Sequence, residues 1–186
     1  RMVERGIIKE EEQELYQFGI RNGMILLLNV VTALVIGLLT EQLAVVAVFT
    51  LSFMVLRGYT GGYHSDSRIF CYLGSNLVLL VPVYTQAVFY KTSLAWLLAV
   101  LLVSAGIIFL LSPMHSKNRK LDKEEQKHFG RKARLIAALE LAVLGILWHA
   151  GQIPYAYAVY TGICITALFM LVGKAQLWIQ SHTENG

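Results

Sequence analysis

The stretch TSLAWLLAVLLVSAGIIFLLSPMHS, residues 92–116, carries no charged side chain. A helix rising 1.5 Å per residue needs about 20 apolar residues to cross a hydrocarbon core of roughly 30 Å, and residues 93–112 supply such a run. Similar charge-free runs lie on either side of it, at 22–40, 42–56, 69–90 and 141–173. Over all 186 residues, 56% are hydrophobic and 15% charged, with a mean hydropathy of +0.56. Soluble domains carry about 25% charged residues, so this balance excludes a soluble enzyme and predicts an all-α, polytopic helical membrane protein.

Six spans are expected, at 22–40, 42–57, about 69–90, 93–112, 135–150 and 153–173, forming one membrane-embedded domain over 1–186. The second is short, about 24 Å, and the third contains Pro82, which removes a backbone donor and predicts a kink. Either of these two is a candidate for a re-entrant segment. Residues 1–21 precede the first span, and within 7–20 Ile8, Leu15 and Phe18 share one helical side with four Glu mostly elsewhere. This predicts an amphipathic helix at the membrane surface. No signal-peptide pattern is present, so nothing is expected to be removed.

The charge distribution predicts orientation. Of 16 Lys/Arg, four lie in 1–21, two in 57–68, eight in 117–134 and one at Lys174, which puts all but Lys91 on one side of a six-span topology. By the positive-inside rule that side is the cytoplasm, with both termini there, as in a multi-pass membrane protein. The basic segment 113–134 is then a cytoplasmic loop. A net charge of +4 in this arrangement reflects topology and gives no reason to expect nucleic acid as a partner.

Two polar segments interrupt the apolar pattern. The first, LRGYTGGYHSDSRIFCYLGS at 56–75, brings together Arg57, Gly61, Gly62, His64, Asp66, Arg68 and Cys71. A thiolate that attacks and an imidazole that accepts and returns its proton are the two partners of a cysteine nucleophile site. A free thiol needs a neighbouring imidazolium or a helix N-terminus to be ionised near neutral pH, and Cys71 falls near the start of the third span. Seven residues of unbroken helix would separate His64 from Cys71 by about 10.5 Å. His64 must therefore sit on non-helical chain folded back over the helix start, and Gly61-Gly62 supplies the backbone freedom. The plainer reading is a solvated His64 and a Cys71 that only packs.

The second segment, 112–134, holds eight Lys/Arg against three acids. Control of topology and attraction to anionic lipid of the bilayer account for most of this charge. Its functional reading is a docking surface for an acidic peptide. Glu140 is the one carboxylate inside an expected span, where an ionisable group faces protein or a wet cavity. It is either a substrate contact or half of a structural pair. Cys164 reads as packing, His115 and His128 read as solvated loop residues ahead of a ligand role, and His149 and His182 lack partners at metal-ligand spacing. No H-E-x-x-H, G-x-x-x-x-G-K-[ST], G-x-S-x-G or C-x-x-C occurs, so neither a metal nor any other cofactor is expected.

Arg57, Gly61-Gly62 and His64 seven residues before Cys71, together with Pro113 followed by Lys117-Asn118 in a P-x-x-x-K-N pattern, resemble the accessory gene regulator protein B (AgrB) family. Its members are bacterial membrane endopeptidases that process quorum-sensing pro-peptides, and the hydropathy profile extends the likeness over essentially the whole chain. The resemblance implies Cys71 as nucleophile and His64 as base. It fixes no third member, and Asp66, Ser65, Ser67 or Asn76 could orient the imidazole. Residues between Pro113 and Lys117 vary in the family, so His115 receives no role.

The implied substrate is a small amphipathic pro-peptide with an acidic C-terminal tail, and the implied contacts for it are Lys117, Asn118, Arg119, Lys120 and Glu140. Cys71 would attack near the C-terminal part and release the acidic piece. A Cys or Ser of the peptide would then attack the resulting thioester, closing a thiolactone or lactone ring. The oligomeric state is left open, a homodimer included. Two alternatives of other classes are a peptide transporter or export channel lined by His64, Asp66 and Glu140, and a non-catalytic scaffold that docks acidic partners.

Overall fold

A computed structural model describes residues 13–61, 68–114 and 122–183. These form seven helices: α1 (Gln13–Leu39), α2 (Leu43–Thr60), α3 (Arg68–Tyr84), α4 (Gln86–Lys91), α5 (Leu94–Leu111), α6 (Lys123–His149) and α7 (Ile153–Thr183). The all-helical architecture agrees with the sequence reading. By length and composition α2, α5 and Ile153–Ile179 of α7 can each cross a membrane, and Gly23–Leu39 and Tyr72–Tyr84 are shorter apolar helices. Large apolar side chains line the outside, Leu39, Leu102 and Leu110 among them at 71% or more exposed. In water such a surface would drive aggregation, whereas lipid solvates it.

Four boundaries differ from expectation. Residues 13–21 run without a break into the first span as one helix, since no proline separates the two parts. The span around Pro82 divides at Thr85, three residues beyond Pro82, into α3 and α4. There the Val81 carbonyl accepts from both the amide (3.0 Å) and the hydroxyl (2.8 Å) of Thr85, and the Thr85 and Tyr157 hydroxyls share a hydrogen bond. The basic segment is not all loop, because helix α6 starts at Lys123. Asp122 accepts from the Glu125 amide at 2.7 Å and the Glu125 carboxylate accepts from the Asp122 amide, a reciprocal cap that satisfies two otherwise orphan donors. Finally, α7 continues ten residues past the expected end at 173.

Helices α2 and α7 form the centre. One apolar cluster joins Leu56 of α2 to Ile108 of α5, Ala137 of α6 and Ile163 and Met170 of α7. The other joins Ala33 of α1, Phe49 of α2 and Leu79 of α3 to Ala158 and Ile165 of α7. Small residues set the approach of the backbones, as is usual where lipid replaces water and close packing must hold helices together. A Cβ on Gly162 would stand 2.6 Å from Ser52 Oγ, and one on Gly37 would stand 2.8 Å from Leu43 Cα.

Candidate active site

The two polar segments singled out in the sequence meet at one end of the bundle. Helix α2 stops because Gly61 takes φ +73°, ψ −153°, a conformation open essentially to glycine alone. Immediately before it, the Thr60 carbonyl accepts a hydrogen bond from the Met114 amide at 2.9 Å. A Cβ on Gly61 would lie 2.6 Å from the Met114 carbonyl oxygen, so the two chains touch backbone to backbone. Beneath them, a Cβ on Gly130 of α6 would lie 2.9 Å from Pro113 Cδ, and buried Ser112 reaches Met170 of α7, Oγ to Sδ 4.0 Å. Thr60 is fully buried in the same junction. The ends of α2 and α5, the start of α6 and the late part of α7 are thereby locked together.

Aromatic contacts extend the junction. Tyr59 stacks at a tilt on Phe129, ring centroids 6.2 Å apart, with Lys132 Nζ 5.8 Å from the Tyr59 ring. Arg57 turns inward, its guanidinium 4.7 Å from the Phe169 ring and 5.9 Å from the Phe53 ring. A guanidinium over two aromatic faces is held by the ring quadrupoles while its stem stays in apolar surroundings. Arg57 thus links α2 to α7 within the bundle.

Of the nucleophile pair, Cys71 is the fourth residue of α3, in its first turn. His64 lies outside the described residues, as do Gly62, Ser65, Asp66 and Ser67 and, on the second segment, Lys117, Asn118, Arg119, Lys120 and His115. Cys164 is a half-buried thiol on α7, a helix away from Cys71. His128 and His149 are exposed on α6 and His182 is exposed near the end of α7, where its Nδ1 lies 2.9 Å from the Trp178 carbonyl. Asn76 sits on α3 a little more than one turn beyond Cys71.

Glu140 is drawn into the bundle from α6, where buried Ser52 of α2 donates a hydrogen bond to its Oε2 at 2.9 Å. Gly162 of α7 packs against the same Ser52 hydroxyl. Sequence reasoning found Glu140 but not its donor, nor the contacts of Met114 and Gly130. Gly130, Ala133, Ala137 and Glu140 recur at helical spacing, and that spacing was the available signal for a small-residue face.

The accessory gene regulator B family model matches residues 1–171, a range that contains α1 to α6, both polar segments and most of α7. The chain belongs to the accessory gene regulator B family. That membership places it in accessory gene regulation, the quorum-sensing system for which the family is named. Among its relatives is a protein called "Accessory gene regulator protein B" from Staphylococcus intermedius, 26% identical over 156 residues, covering 82% of this chain and 80% of the relative. Another, "Putative AgrB-like protein 2" from Clostridium perfringens (strain 13 / Type A), is 24% identical over 131 residues. That match covers 67% of this chain and 61% of the relative's length. No solved structure matches the chain.

Proposed function

We propose that this protein is a membrane-embedded cysteine endopeptidase that cleaves a small pro-peptide through a Cys71 thioester and promotes its closure to a thiolactone or lactone signal. The observation that carries this reading is the junction between the Gly61 turn and Met114. It sets the root of the segment bearing His64 against the root of the segment bearing Lys117 to Lys120, and α3 opens with Cys71 in its first turn. Family membership supports the same assignment.

His64 removes the thiol proton as the sulfur attacks the scissile carbonyl, then returns it to the departing amine of the C-terminal piece. Free N–H groups in the first turn of a helix favour an anion, which suits a nucleophilic sulfur there. The second step is attack on the thioester by a Cys or Ser of the peptide, which releases Cys71 and closes the ring. Exchange of one thioester for another is nearly balanced, so the uphill cleavage must be drawn forward by removal of products. Water competes for the same acyl group, and a site at the membrane boundary restricts its access. The acidic tail binds Lys117, Arg119 and Lys120 in this reading. The six-span topology, with both termini cytoplasmic, puts those residues and Cys71 on the same side.

The test is co-expression with the cognate pro-peptide and mass analysis of cysteine variants. Cys71→Ala should abolish cleavage and the covalent adduct, and Cys164→Ala should keep both. Cleavage by Cys71→Ala at the wild-type level overturns the peptidase reading in favour of a transporter or scaffold.

A further inference from the structure

Pro113 follows the end of α5 and leaves one of its carbonyls without the usual partner. In a helix the Phe109 carbonyl would accept from the amide four residues on, but Pro113 has no N–H. The Ser112 amide bonds the Ile108 carbonyl at 3.1 Å, and Arg134 of α6 supplies the next donor, its Nε lying 3.1 Å from the Phe109 oxygen. That bond fixes the plane of the guanidinium and leaves four N–H groups on its two Nη atoms.

Arg134 shares its helical face with Lys127 and Arg131, at spacings of seven and three residues. All three are exposed, while Gly130, Ala133 and Ala137 of the same helix turn inward and are buried. Among the described residues no carboxylate pairs with any of the three. Glu124 is the one acid that shares the face, so positive charge is in excess there. Beyond Arg134 the same face becomes apolar and stays exposed, through Leu135, Ala138, Leu139 and Ala142. Arg134 lies level with the last turn of α5, at the edge of the hydrocarbon, where a cation without a counter-charge is costly.

We propose that this face of α6 is a binding surface for an anionic phospholipid, whose phosphodiester is held by Lys127, Arg131 and Arg134 and whose acyl chains lie on Leu135 and Leu139. Charge first and apolar surface next, along the helix axis, is the order in which a lipid presents its phosphate and its chains. A guanidinium already held in place suits phosphate oxygens, since less rotamer freedom is lost on binding. General attraction of a basic segment to an anionic bilayer requires neither a fixed guanidinium nor an apolar continuation.

The competing ligand is the acidic tail of a peptide, and position argues against it. Helix α3, which carries Cys71, packs on α1 and α2, whereas the basic face of α6 points away from α2 and α7. The basic segment thus divides in two. Residues 117–120 remain for the peptide in the proposed reaction, and the helical part from Lys127 holds lipid. This inference goes beyond the peptidase reading and does not depend on it.

The experiment reconstitutes the full chain in nanodiscs of phosphatidylcholine and phosphatidylglycerol in equal amounts and counts the lipids retained after release by native mass spectrometry. Wild type should retain phosphatidylglycerol in preference to phosphatidylcholine. Lys127→Gln/Arg131→Gln, which changes two exposed side chains, should lower that ratio by about fivefold or more, and Arg134→Gln should lower it further. Lys117→Gln/Arg119→Gln removes the same charge from the loop and should leave the ratio unchanged. Added inorganic phosphate should not displace the lipid, because it has no chain to place on Leu135 and Leu139. An unchanged ratio in the Lys127→Gln/Arg131→Gln variant overturns the proposal. Equal loss in the loop variant also overturns it, since charge count alone then sets the ratio, and so does displacement by inorganic phosphate. A raised peptide requirement in the α6 variant with an unchanged lipid ratio overturns it in favour of the peptide. Cys71→Ala should keep the wild-type lipid ratio whatever becomes of cleavage, so failure of the peptidase reading and failure of this one are read separately.

Discussion

Replacing Gly61 by Ala tests the junction on which the site depends. Two costs follow from the geometry. At φ +73°, ψ −153° a residue with a Cβ is held in a region that costs on the order of 1–3 kcal/mol. The new Cβ would also stand 2.6 Å from the Met114 carbonyl oxygen, well inside ordinary contact, and the obstacle is backbone rather than a flexible side chain. Relieving that overlap moves Met114 away and releases its 2.9 Å hydrogen bond to Thr60, a further ~1 kcal/mol. The sum, about 2–4 kcal/mol, is a large share of ordinary stability if the fold resists, and a displaced junction if it yields. Gly58 provides the control three residues away. It is inside α2 with nothing within 4 Å of its Cβ position, so Gly58→Ala should gain up to about 1 kcal/mol from helix propensity. Thermal unfolding of both variants in detergent, with peptide processing measured alongside, should separate them. Gly61→Ala should lose stability, processing or both, and Gly58→Ala should lose neither. Equal behaviour of the two variants would refute the argument from Gly61.

Three other outcomes follow. His64→Ala should leave membrane insertion and peptide binding intact while lowering turnover by about 10²–10⁴, the range for a lost general base, and failure of the variant to accumulate would mark His64 as structural. Neutralising Lys117, Arg119 and Lys120 should raise the peptide concentration needed with little change in maximal rate, and added salt should weaken wild type more than the variant. A reporter-fusion check of loop orientation must accompany it, and unchanged peptide dependence at all salt concentrations would leave these residues as a topology signal only. Ser52→Ala strands the Glu140 carboxyl without its 2.9 Å donor and should destabilise by about 1–3 kcal/mol, more than Glu140→Gln, which can still accept from Ser52. Thermal midpoints in the opposite order would show that Ser52 does not hold Glu140.

The candidate chemistry was legible where residue type alone carries it. A His and a Cys near an expected helix start suggest the nucleophile pair proposed above before any fold is known, and a Gly pair between them and the preceding helix suggests a turn. Gly61 does make that turn, with the left-handed φ that glycine permits. What stayed hidden were partners distant in sequence. Ser52 gave no reason to be matched with Glu140, 88 residues later, and Met114 gave none to be matched with Thr60. Hydroxyl and main-chain groups are present everywhere in a sequence, so only their placement in space selects which ones meet.

The membrane class, the helical fold and the approximate ends of the apolar helices were set by the sequence itself. Lipid leaves backbone groups no partner but each other, so a run of apolar residues such as 93–112 has one stable answer, and α5 adopts it. Boundaries were less determined where polar side chains compete for backbone groups, as the Thr85 hydroxyl does for Val81 and as Asp122 and Glu125 do at the start of α6. The arrangement of the helices was decided only in three dimensions. All the spans are apolar alike, so hydrophobicity cannot rank one neighbour over another in a hydrocarbon solvent. Close approach at Gly162, Gly37 and Gly130, together with a few polar pairs, selects which faces meet, and that selection brings the Gly61 turn against Met114.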